Sequence, residues 1–386
     1  MTGKVIYVSF IRLTDKVARD WYIDYLIEKG VSVEYWDIVS LLREEHAEQG
    51  AIYPLYLRIF RTFSEVEEML CRSEYRQASY VLLVSYVGRF TRIFRLLSQY
   101  DCRMLYIAWG AMPYQAGSIW QKLASAFAHP AASVKEIFYR TKALALRRLG
   151  LVKPFDIVFA AGQVLVATYQ YAAKVVPINL CDYDQYVKAR IRGGRLVPGR
   201  YAVFLDINLP YQSDLAVFGY PQIDPRSYYQ SLNRFFGLLE SALGIRVVIA
   251  AHPKTIYDAA TFDGRERHRL VTAELVKDSE FVLSHTSTAL GYAVLNAKPL
   301  VFIYTNQMLA AYANTVIRQM QCYADYLGAP IYNADAITEG HQLVIGSADL
   351  ERYQRYKYSF LTTPQSENAM TADIFWRELA AQFRTA

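Results

Sequence analysis

The chain is poor in cysteine and has no long apolar run. Its four cysteines are widely scattered and form no C-x-x-C pair, which argues against a disulfide scaffold and a cysteine-based metal site. No apolar run approaches the roughly 20 residues that a membrane-spanning helix requires. Residues 1–10 lead directly into a strand pattern, without the layout of a signal peptide. We therefore expect a cytoplasmic protein with reduced thiols at Cys71, Cys102, Cys181 and Cys322.

Several motifs of known chemistry are missing as well. The sequence has no G-x-x-x-x-G-K-[ST] phosphate loop, no G-x-G-x-x-G after a strand and no G-x-S-x-G nucleophile elbow. Asp182-Tyr-Asp184 resembles an Asp-x-Asp metal motif, but it lies near the predicted domain junction, away from the strand ends discussed below. A structural or hinge role is favoured there, and we expect no metal ion in the site.

Positive charge is in modest and local excess. The net charge is +6, and no aromatic-basic alternation of the nucleic-acid type accompanies the cations, so we expect no nucleic-acid partner. An anionic substrate and an anionic membrane are the partners that remain. The cations form two groups: Lys135, Arg140, Lys142, Arg147, Arg148 and Lys153, and then Lys188, Arg190, Arg192, Arg195 and Arg200.

The chain does contain a regular alternation of apolar strand patterns and helical patterns. Nearly continuous apolar runs at 80–87 and 103–108 are typical of parallel strands that are buried on both faces. Glycine and proline interrupt the alternation at 188–200, which we interpret as a linker. The sequence thus predicts an α/β fold with two Rossmann-like domains, residues 1–190 and 201–386, that face an interdomain cleft.

A helical insertion is predicted at about 111–153 of the first domain. In its basic helix, residues 133–150, apolar residues share one face and lysine and arginine occupy another. The commoner explanation is an amphipathic helix that packs on its own domain. The alternative is a helix that lies on a membrane surface, which would place the protein peripherally on the inner face of the plasma membrane.

The most informative segment is 281–303. An apolar strand pattern ends in a hydroxyl cluster, a helix follows, and a second apolar strand begins at Leu300. One hydroxyl suffices to cap a helix, so the surplus favours an anion held by hydroxyls and free N–H groups at the helix start. His285 is left out, since its side chain could equally point into the fold. The candidate ligands are Ser284, Thr286, Ser287 and Thr288.

A second polar cluster, His252-Pro253-Lys254, follows the apolar run 247–251. Ligands of open α/β sheets bind at the carboxyl ends of parallel strands, which is where this histidine is predicted to lie. The imidazole could donate to a phosphate oxygen and stabilise a nucleotide leaving group, while Lys254 adds charge and Pro253 fixes the turn. A structural histidine is the alternative.

Asp206 and Asn208 follow a third apolar run, 201–205. The carboxylate of Asp206 could act as a general base on an acceptor hydroxyl. It could equally cap the loop that follows it through its side chain. The sequence leaves these two roles open. Asn208 is grouped with the 284–288 hydroxyls, Pro253 and Lys254 as a candidate binding residue.

With these residues in place, the chain resembles a GT-B glycosyltransferase. More narrowly, it is similar to bacterial transferases of surface-polysaccharide assembly that use CMP-activated acidic sugars, of the sialyl, polysialyl, Kdo and pseudaminic types. His252-Pro253 and the segment 284–288 match the His-Pro and Ser/Thr motifs of those families in order and spacing. The acidic-acidic-Gly motif of the sialyltransferases is absent, and Asp206 is the nearest candidate for the base. The resemblance covers about residues 200–310.

The resemblance implies an inverting, metal-independent enzyme without a cofactor. It would move an acidic sugar from its CMP donor to a glycan or lipid-linked glycan acceptor, with Asp206 as base and His252 and the hydroxyls stabilising departing CMP. The first domain would bind the acceptor. The alternatives are a GT-B transferase that uses a UDP- or GDP-hexose or a CDP-polyol, and a non-catalytic subunit of GT-B type.

Overall fold

The computed structural model describes residues 3–42, 50–84, 86–113, 130–212, 215, 220–253, 255, 257–258 and 260–385. The chain divides into two compact units. Unit 1 comprises Met1–Trp109, Ala116–Asn179 and Thr363–Ala386. Unit 2 comprises Gly110–Gln115 and Leu180–Thr362.

Unit 1 is built on a parallel sheet of seven strands in the order β3-β2-β1-β4-β5-β6-β7. The interior strands are buried along nearly their whole length, as the continuous apolar runs predict for a sheet covered on both faces. The strands are β1 Lys4–Ser9, β2 Ser32–Asp37, β3 Leu57–Ile59, β4 Ser79–Leu82, β5 Arg103–Ala108, β6 Ile157–Ala161 and β7 Lys174–Ile178.

Helices connect the strands of unit 1, and two of them begin at threonine caps. The hydroxyl of Thr14 accepts from the Val17 N–H, and that of Thr62 accepts from the Glu65 N–H. The helices that connect the strands are α1 Asp15–Asp20, α2 Ile23–Glu28, α3 Phe63–Leu70, α4 Ser73–Arg76, α5 Thr91–Gln99, α6 Pro130–Arg148 and α7 Gly162–Thr168, with 3-10 turns at Val39–Leu42 and Gly88–Phe90.

Unit 2 is built on a parallel sheet of six strands in the order β10-β9-β8-β11-β12-β13. The chain lays down β9 and β10 on one side of β8, then returns to place β11 on the other side. The order therefore reverses between β8 and β11, which is where open α/β sheets bind ligands. The strands are β8 Tyr201–Leu205, β9 Arg246–Ala251, β10 Arg267–Arg269, β11 Val282–Ser284, β12 Leu300–Tyr304 and β13 Ile331–Asn333.

The longest described helix of unit 2 has clear signals at both ends. The Asp224 carboxylate caps it by accepting from the Ser227 N–H at 2.8 Å, and Gly244 ends it at φ +61°, where a side chain would be strained. The helices are α8 Cys181–Arg192, α9 Pro225–Leu243, α10 Thr272–Asp278, α11 Gly291–Leu295, α12 Asn306–Tyr312, α13 Arg318–Leu327 and α14 Leu350–Tyr356.

Shorter turns complete unit 2. Three-residue 3-10 turns lie at Leu209–Tyr211, Thr288–Leu290 and Gly340–Gln342. Two π-helical turns, Ala313–Ile317 and Lys357–Leu361, follow helices α12 and α14. The first two 3-10 turns come directly after the strand ends that carry Asp206 and Ser284, so they shape the polar edge of this sheet.

The structural division differs from the sequence-based domains, 1–190 and 201–386, at two helices. Helix α8, from Cys181, lies in unit 2, where it contacts α10 and α11. The last helix, α15 Thr371–Thr385, lies in unit 1 although it follows unit 2 along the chain. The Thr371 hydroxyl accepts from the Asn179 N–H at 3.1 Å, and the Phe375 ring contacts Phe159. An amphipathic pattern predicts a helix but does not say which sheet that helix covers.

The predicted insertion, about 111–153, contains α6 as its described helix. Residues 114–129 of the insertion lie outside the described residues. None of the described helices combines the length and the apolar composition needed to cross a membrane.

Candidate functional site

The polar clusters predicted from the sequence follow three neighbouring strands of unit 2. In the sheet, Leu205 lies beside Ala250 of β9 on one side and beside Ser284 of β11 on the other. Asp206, His252 and Ser284 therefore lie at the carboxyl edge of three adjacent parallel strands. The candidate site is this edge of the sheet, at the reversal between β8 and β11.

Asp206 is held on both carboxylate oxygens. Its Oδ1 accepts from the Asn208 N–H at 3.0 Å, and its Oδ2 accepts from the Tyr257 hydroxyl. Only 5% of the residue is exposed. Burial raises the pKa of the carboxyl, while the hydrogen bonds from Tyr257 and from the backbones of Asn208 and His252 act in the opposite direction. These are the contacts of the loop-capping arrangement that the sequence left open.

Tyr257 is a site residue that sequence reasoning missed. It lies in the loop after β9, which also carries His252, and its hydrogen bond to Asp206 joins that loop to the end of β8. As one of 32 tyrosines, it carried no distinguishing signal in the sequence. The ring of Tyr229 lies edge-on to Tyr257, at 6.5 Å between centroids. Burial and the nearby Asp206 carboxylate raise the pKa of the Tyr257 hydroxyl, so Tyr257 is the proton donor of the pair.

Asn208 adopts the left-handed conformation, with φ 53° and ψ 41°. Asparagine tolerates this conformation better than most residues, which explains its presence at the turn. The residue is 7% exposed, and its side-chain Oδ1 has no hydrogen-bond partner among the described residues. A buried polar atom of this kind is satisfied when a ligand or water supplies the partner.

The His252-Pro253 turn lies on the other side of Asp206. His252 is half-buried, Pro253 is exposed, and the His252 carbonyl accepts from the Thr255 N–H at 3.2 Å. The backbone of His252 also donates toward Asp206, so the carboxylate fixes this turn as well. Lys254, the third member of the predicted cluster, lies outside the described residues.

The hydroxyl cluster divides into two members that cap the local backbone and two that do not. The Ser284 hydroxyl is buried and accepts from the Ser287 N–H at 3.4 Å, and the Ser287 hydroxyl accepts from the Ala289 N–H at 3.2 Å. Thr286 is half-buried and Thr288 is exposed, and neither hydroxyl bonds to another described residue. Local capping thus occupies Ser284 and Ser287 and leaves two threonine hydroxyls for a ligand.

The helix after this cluster is shorter than the sequence suggests. A 3-10 turn, Thr288–Leu290, leads into α11, which has only five residues. So short a helix contributes little dipole, because the macrodipole sums over aligned peptide units. The hydroxyls and the N–H groups of the turn are the remaining means of holding an anion here.

His285 points into the fold and is separate from the ligand-facing groups. It is fully buried, with its Nδ1 2.5 Å from the Ile303 carbonyl and its Nε2 2.7 Å from the Tyr228 hydroxyl. Because a carbonyl can only accept, Nδ1 carries the hydrogen and Nε2 accepts from Tyr228. Burial lowers the pKa of the ring to about 4, so the imidazole is neutral at physiological pH.

A surface pocket of about 830 Å³ opens beside these loops. Its size falls within the range of small-molecule sites. Tyr211 comes from the turn after β8, Tyr229 from α9, and Asp258 from the loop after β9, so the pocket lies beside the site, although none of the predicted site residues that the structure describes lines it. The other lining residues are Pro225, Arg226, Gln230, Asn233, Arg234, Ala260, Thr261 and Asp263.

The Asp182-Tyr-Asp184 motif lies in the first turn of α8. The Asp182 carboxylate accepts from the Tyr292 hydroxyl at 3.2 Å, and Asp184 is buried. Across the described ranges, no three histidine, cysteine or acidic side chains are grouped so as to hold a metal ion. The contact with Tyr292 joins α8 to α11 within unit 2.

Comparison with known proteins identifies the fold. No protein-family model and no curated protein matches the chain. Among solved structures, the chain is similar to CalG4, the calicheamicin glycosyltransferase, with 14% identity and a TM-score of 0.53 over all of both chains.

Two further similarities are weaker. A variant of the wall teichoic acid polymerase TagF has 10% identity and a TM-score of 0.49, over 99% of this chain and 90% of that chain. The UDP-GlcNAc 2-epimerase of Methanocaldococcus jannaschii, in complex with UDP-GlcNAc and UDP, has 10% identity and a TM-score of 0.45, over 99% of this chain and 100% of that chain. The two parallel sheets and the similarity to CalG4 confirm the predicted α/β fold, of the GT-B class.

Proposed function

We propose that this protein is a glycosyltransferase that binds its nucleotide-sugar donor at the carboxyl edge of β8, β9 and β11. The observation that carries the proposal is the grouping, in a GT-B fold, of a histidine turn, two threonine hydroxyls without partners among the described residues and a buried asparagine oxygen. Of these groups the Asn208 oxygen is buried, and a buried polar atom without a partner in the protein is normally satisfied by a ligand or by water.

The donor phosphate is proposed to lie between His252 and the segment 284–288. His252 would donate to a phosphate oxygen from one side, and the hydroxyls of Thr286 and Thr288 would donate from the other. Ser284 and Ser287 would hold the turn that carries them, through the bonds that they already make. Hydrogen-bond donors in these positions stabilise negative charge as it develops on a leaving group.

The proposed donor is a CMP-activated acidic sugar, and the acceptor is a bacterial surface glycan. The acceptor hydroxyl attacks the anomeric carbon from the face opposite the phosphate, and the new glycosidic C–O bond inverts the configuration. The anomeric C–O bond to phosphate breaks, and CMP leaves with the bonding electron pair. The hydroxyl proton passes to a base. CMP leaves as a monophosphate, with less charge to neutralise than a nucleoside diphosphate, so the proposal requires no metal ion.

The absence of an acid after the hydroxyl cluster supports this donor over a UDP-hexose. Helix α11 and the residue that follows it read Gly-Tyr-Ala-Val-Leu-Asn. A hexose donor is commonly held through its sugar or ribose hydroxyls by an acidic side chain on the corresponding helix of GT-B enzymes.

For Asp206 we propose a positioning role in place of the general base. A base has to meet the acceptor hydroxyl within hydrogen-bonding distance. The Asp206 carboxylate is buried and accepts from Tyr257 on one oxygen and from Asn208 on the other. It therefore fixes the two loops that present Asn208 and His252 to the donor.

Calorimetric titration with CMP, CDP, UDP, GDP and ADP, with and without Mg²⁺, tests the donor class. We expect selective binding of CMP that does not depend on Mg²⁺ and that is lost in His252→Ala. His268→Ala is the matched control, because His268 lies on edge strand β10 of the same sheet and pairs with Glu266. Turnover with CMP-sugars should likewise fall in His252→Ala and stay unchanged in His268→Ala.

Other outcomes of this titration would replace the proposal. Preference for UDP, GDP or CDP would indicate a hexose or polyol donor in the same site. Failure to bind any nucleotide would indicate a non-catalytic subunit of GT-B type. Normal turnover in His252→Ala would remove that residue from the donor site.

A further inference from the structure

Helix α6 of unit 1 exposes large apolar side chains to solvent. Phe138 is 61% exposed and Leu144 is 51% exposed, and just beyond the helix Leu149 and Leu151 are 71% and 42% exposed. Single exposed apolar residues are ordinary on a protein surface. Four of them lie within 14 positions of this helix and its end, and such a group is typical of an interaction surface.

Cations are interspersed with these apolar side chains, and acids are absent. Arg140, Lys142 and Arg148 are exposed, and residues 137–153 contain no aspartate or glutamate. Arg147 lies over the Tyr86 ring at 4.1 Å, and Lys153 pairs with Asp101. The surface is therefore both apolar and positively charged. We call the exposed residues 138–151 the α6 surface.

The opposite face of the helix is attached to unit 1. Ala143 is buried, and its carbonyl accepts from the Tyr86 hydroxyl at 2.9 Å. The Arg147 guanidinium stacks on Tyr86 and lies 5.1 Å from the Tyr171 ring centroid. Tyr139 lies against Gly88, where an added Cβ would clash with the ring. The helix thus packs on its own domain, and the large apolar side chains of its other face are exposed.

We propose that the α6 surface docks the protein on a membrane that contains anionic phospholipids. Phe138 and Leu149 would enter the region between headgroups and acyl chains, while Lys142 and Arg148 would lie at the phosphates. A nucleic acid would satisfy the cations but not Leu144, Leu149 and Leu151, which offer neither stacking nor hydrogen bonds. The two interpretations of this helix, packing and membrane contact, then apply to its two faces.

Co-sedimentation with lipid vesicles tests this proposal on the full chain. We expect the protein to bind vesicles of phosphatidylcholine and phosphatidylglycerol in equal parts, and to bind pure phosphatidylcholine vesicles at least tenfold more weakly. Each cation at an anionic surface contributes roughly fivefold to the binding constant at moderate ionic strength. Added salt should therefore weaken binding to the mixed vesicles.

Two double variants separate the α6 surface from the overall charge. Lys142→Glu with Leu149→Ser should reduce binding to the mixed vesicles by more than tenfold. Lys188→Glu with Ile191→Ser is the matched control, because it makes the same kind of change on α8, where Lys188 is exposed and Ile191 is 79% exposed. The control should bind as the unchanged protein does. CMP titration of both variants reports whether they remain folded, and it tests the donor site independently.

Three results would overturn the proposal. Equal losses in both double variants would show that net charge alone is responsible. Equal binding to neutral and anionic vesicles would remove the role of the cations. Binding to duplex DNA without binding to either kind of vesicle would assign the surface to a nucleic acid.

Discussion

Asp206 illustrates how one buried side chain can join two loops of a site. Its carboxylate is buried at the end of β8 and links the turn that holds Asn208 to the loop that holds Tyr257 and His252. A buried carboxylate is costly unless hydrogen bonds compensate for the lost water, and here they come from both loops. Loss of the hydrogen bond on either side should therefore weaken binding of the donor nucleotide.

Asp206→Asn and Tyr257→Phe should have the same effect. Each leaves a buried polar group without its partner, which costs about 1–3 kcal/mol of unfolding free energy. Each should also raise the KM for the donor nucleotide, since both loops lose a common anchor. Urea denaturation and steady-state kinetics measure the two effects.

A general base would behave differently in the same experiments. Asp206→Asn would then lower kcat strongly with the KM and the unfolding free energy nearly unchanged, and Tyr257→Phe would retain most activity. That pattern would return the base role to Asp206.

His285 makes the stability of unit 2 depend on pH. Its pKa is about 4 in the folded protein, below the usual value near 6.5 in an unfolded chain. The unfolded state therefore binds more protons between these values, so stability is fully present above about pH 6.5 and is lost as the pH falls toward 4. The loss should reach about 2 kcal/mol between pH 7.5 and pH 5.

Comparison with His285→Asn isolates this contribution from that of the carboxylates. Asparagine is shorter and does not titrate, so the variant should be less stable at pH 7.5 but should lose less stability on acidification. Urea denaturation at the two pH values gives both differences. An identical pH dependence in the two proteins would mean that His285 is not the group responsible.

At the scale of the element, mutation can separate the capping contacts of the hydroxyl segment from its proposed role in nucleotide binding. Ser287 is an N-cap, and its loss in Ser287→Ala should cost about 1 kcal/mol of unfolding free energy. Thr286→Val with Thr288→Val removes only hydroxyls that bond to no other described residue, and should change stability by less than about 0.5 kcal/mol.

For nucleotide binding the order should be reversed: the double threonine variant should be affected more than Ser287→Ala. The double threonine variant should bind CMP at least tenfold more weakly by calorimetry, because two donors to the phosphate are gone. Ser287→Ala should bind CMP with a smaller loss. Normal CMP affinity in the double threonine variant would move the phosphate away from this turn.

At the scale of the whole molecule, the last helix belongs to the first unit. Phe375 of α15 is 1% exposed and contacts Tyr22 and Phe159 of unit 1. Phe375→Ala should cost about 3–5 kcal/mol, as other buried phenylalanine truncations do. Hydrogen exchange should then accelerate in β1 and leave β8 nearly unchanged.

Phe235→Ala is the reciprocal control, because Phe235 is fully buried in α9 of unit 2. It should accelerate exchange in β8 and leave β1 nearly unchanged. Faster exchange of β8 in Phe375→Ala would indicate that the last helix supports unit 2.

The sequence by itself determined where the strands end and which polar residues follow them. Apolar runs at 201–205, 247–251 and 281–283 predict buried strands because burial on both faces requires apolar side chains throughout. The structure has strands at these places, and Asp206, His252 and Ser284 meet at one edge of the sheet as expected.

Only the tertiary structure decided which distant residues contact each other. It joined Tyr257 to Asp206 across 51 positions and turned His285 toward Tyr228, 57 positions away. It also placed Thr371 at Asn179, across 192 positions. Periodicity encodes which face of an element is buried, since it reflects local geometry and the removal of apolar surface from water. It does not encode the partner, because any apolar surface of suitable shape satisfies that requirement.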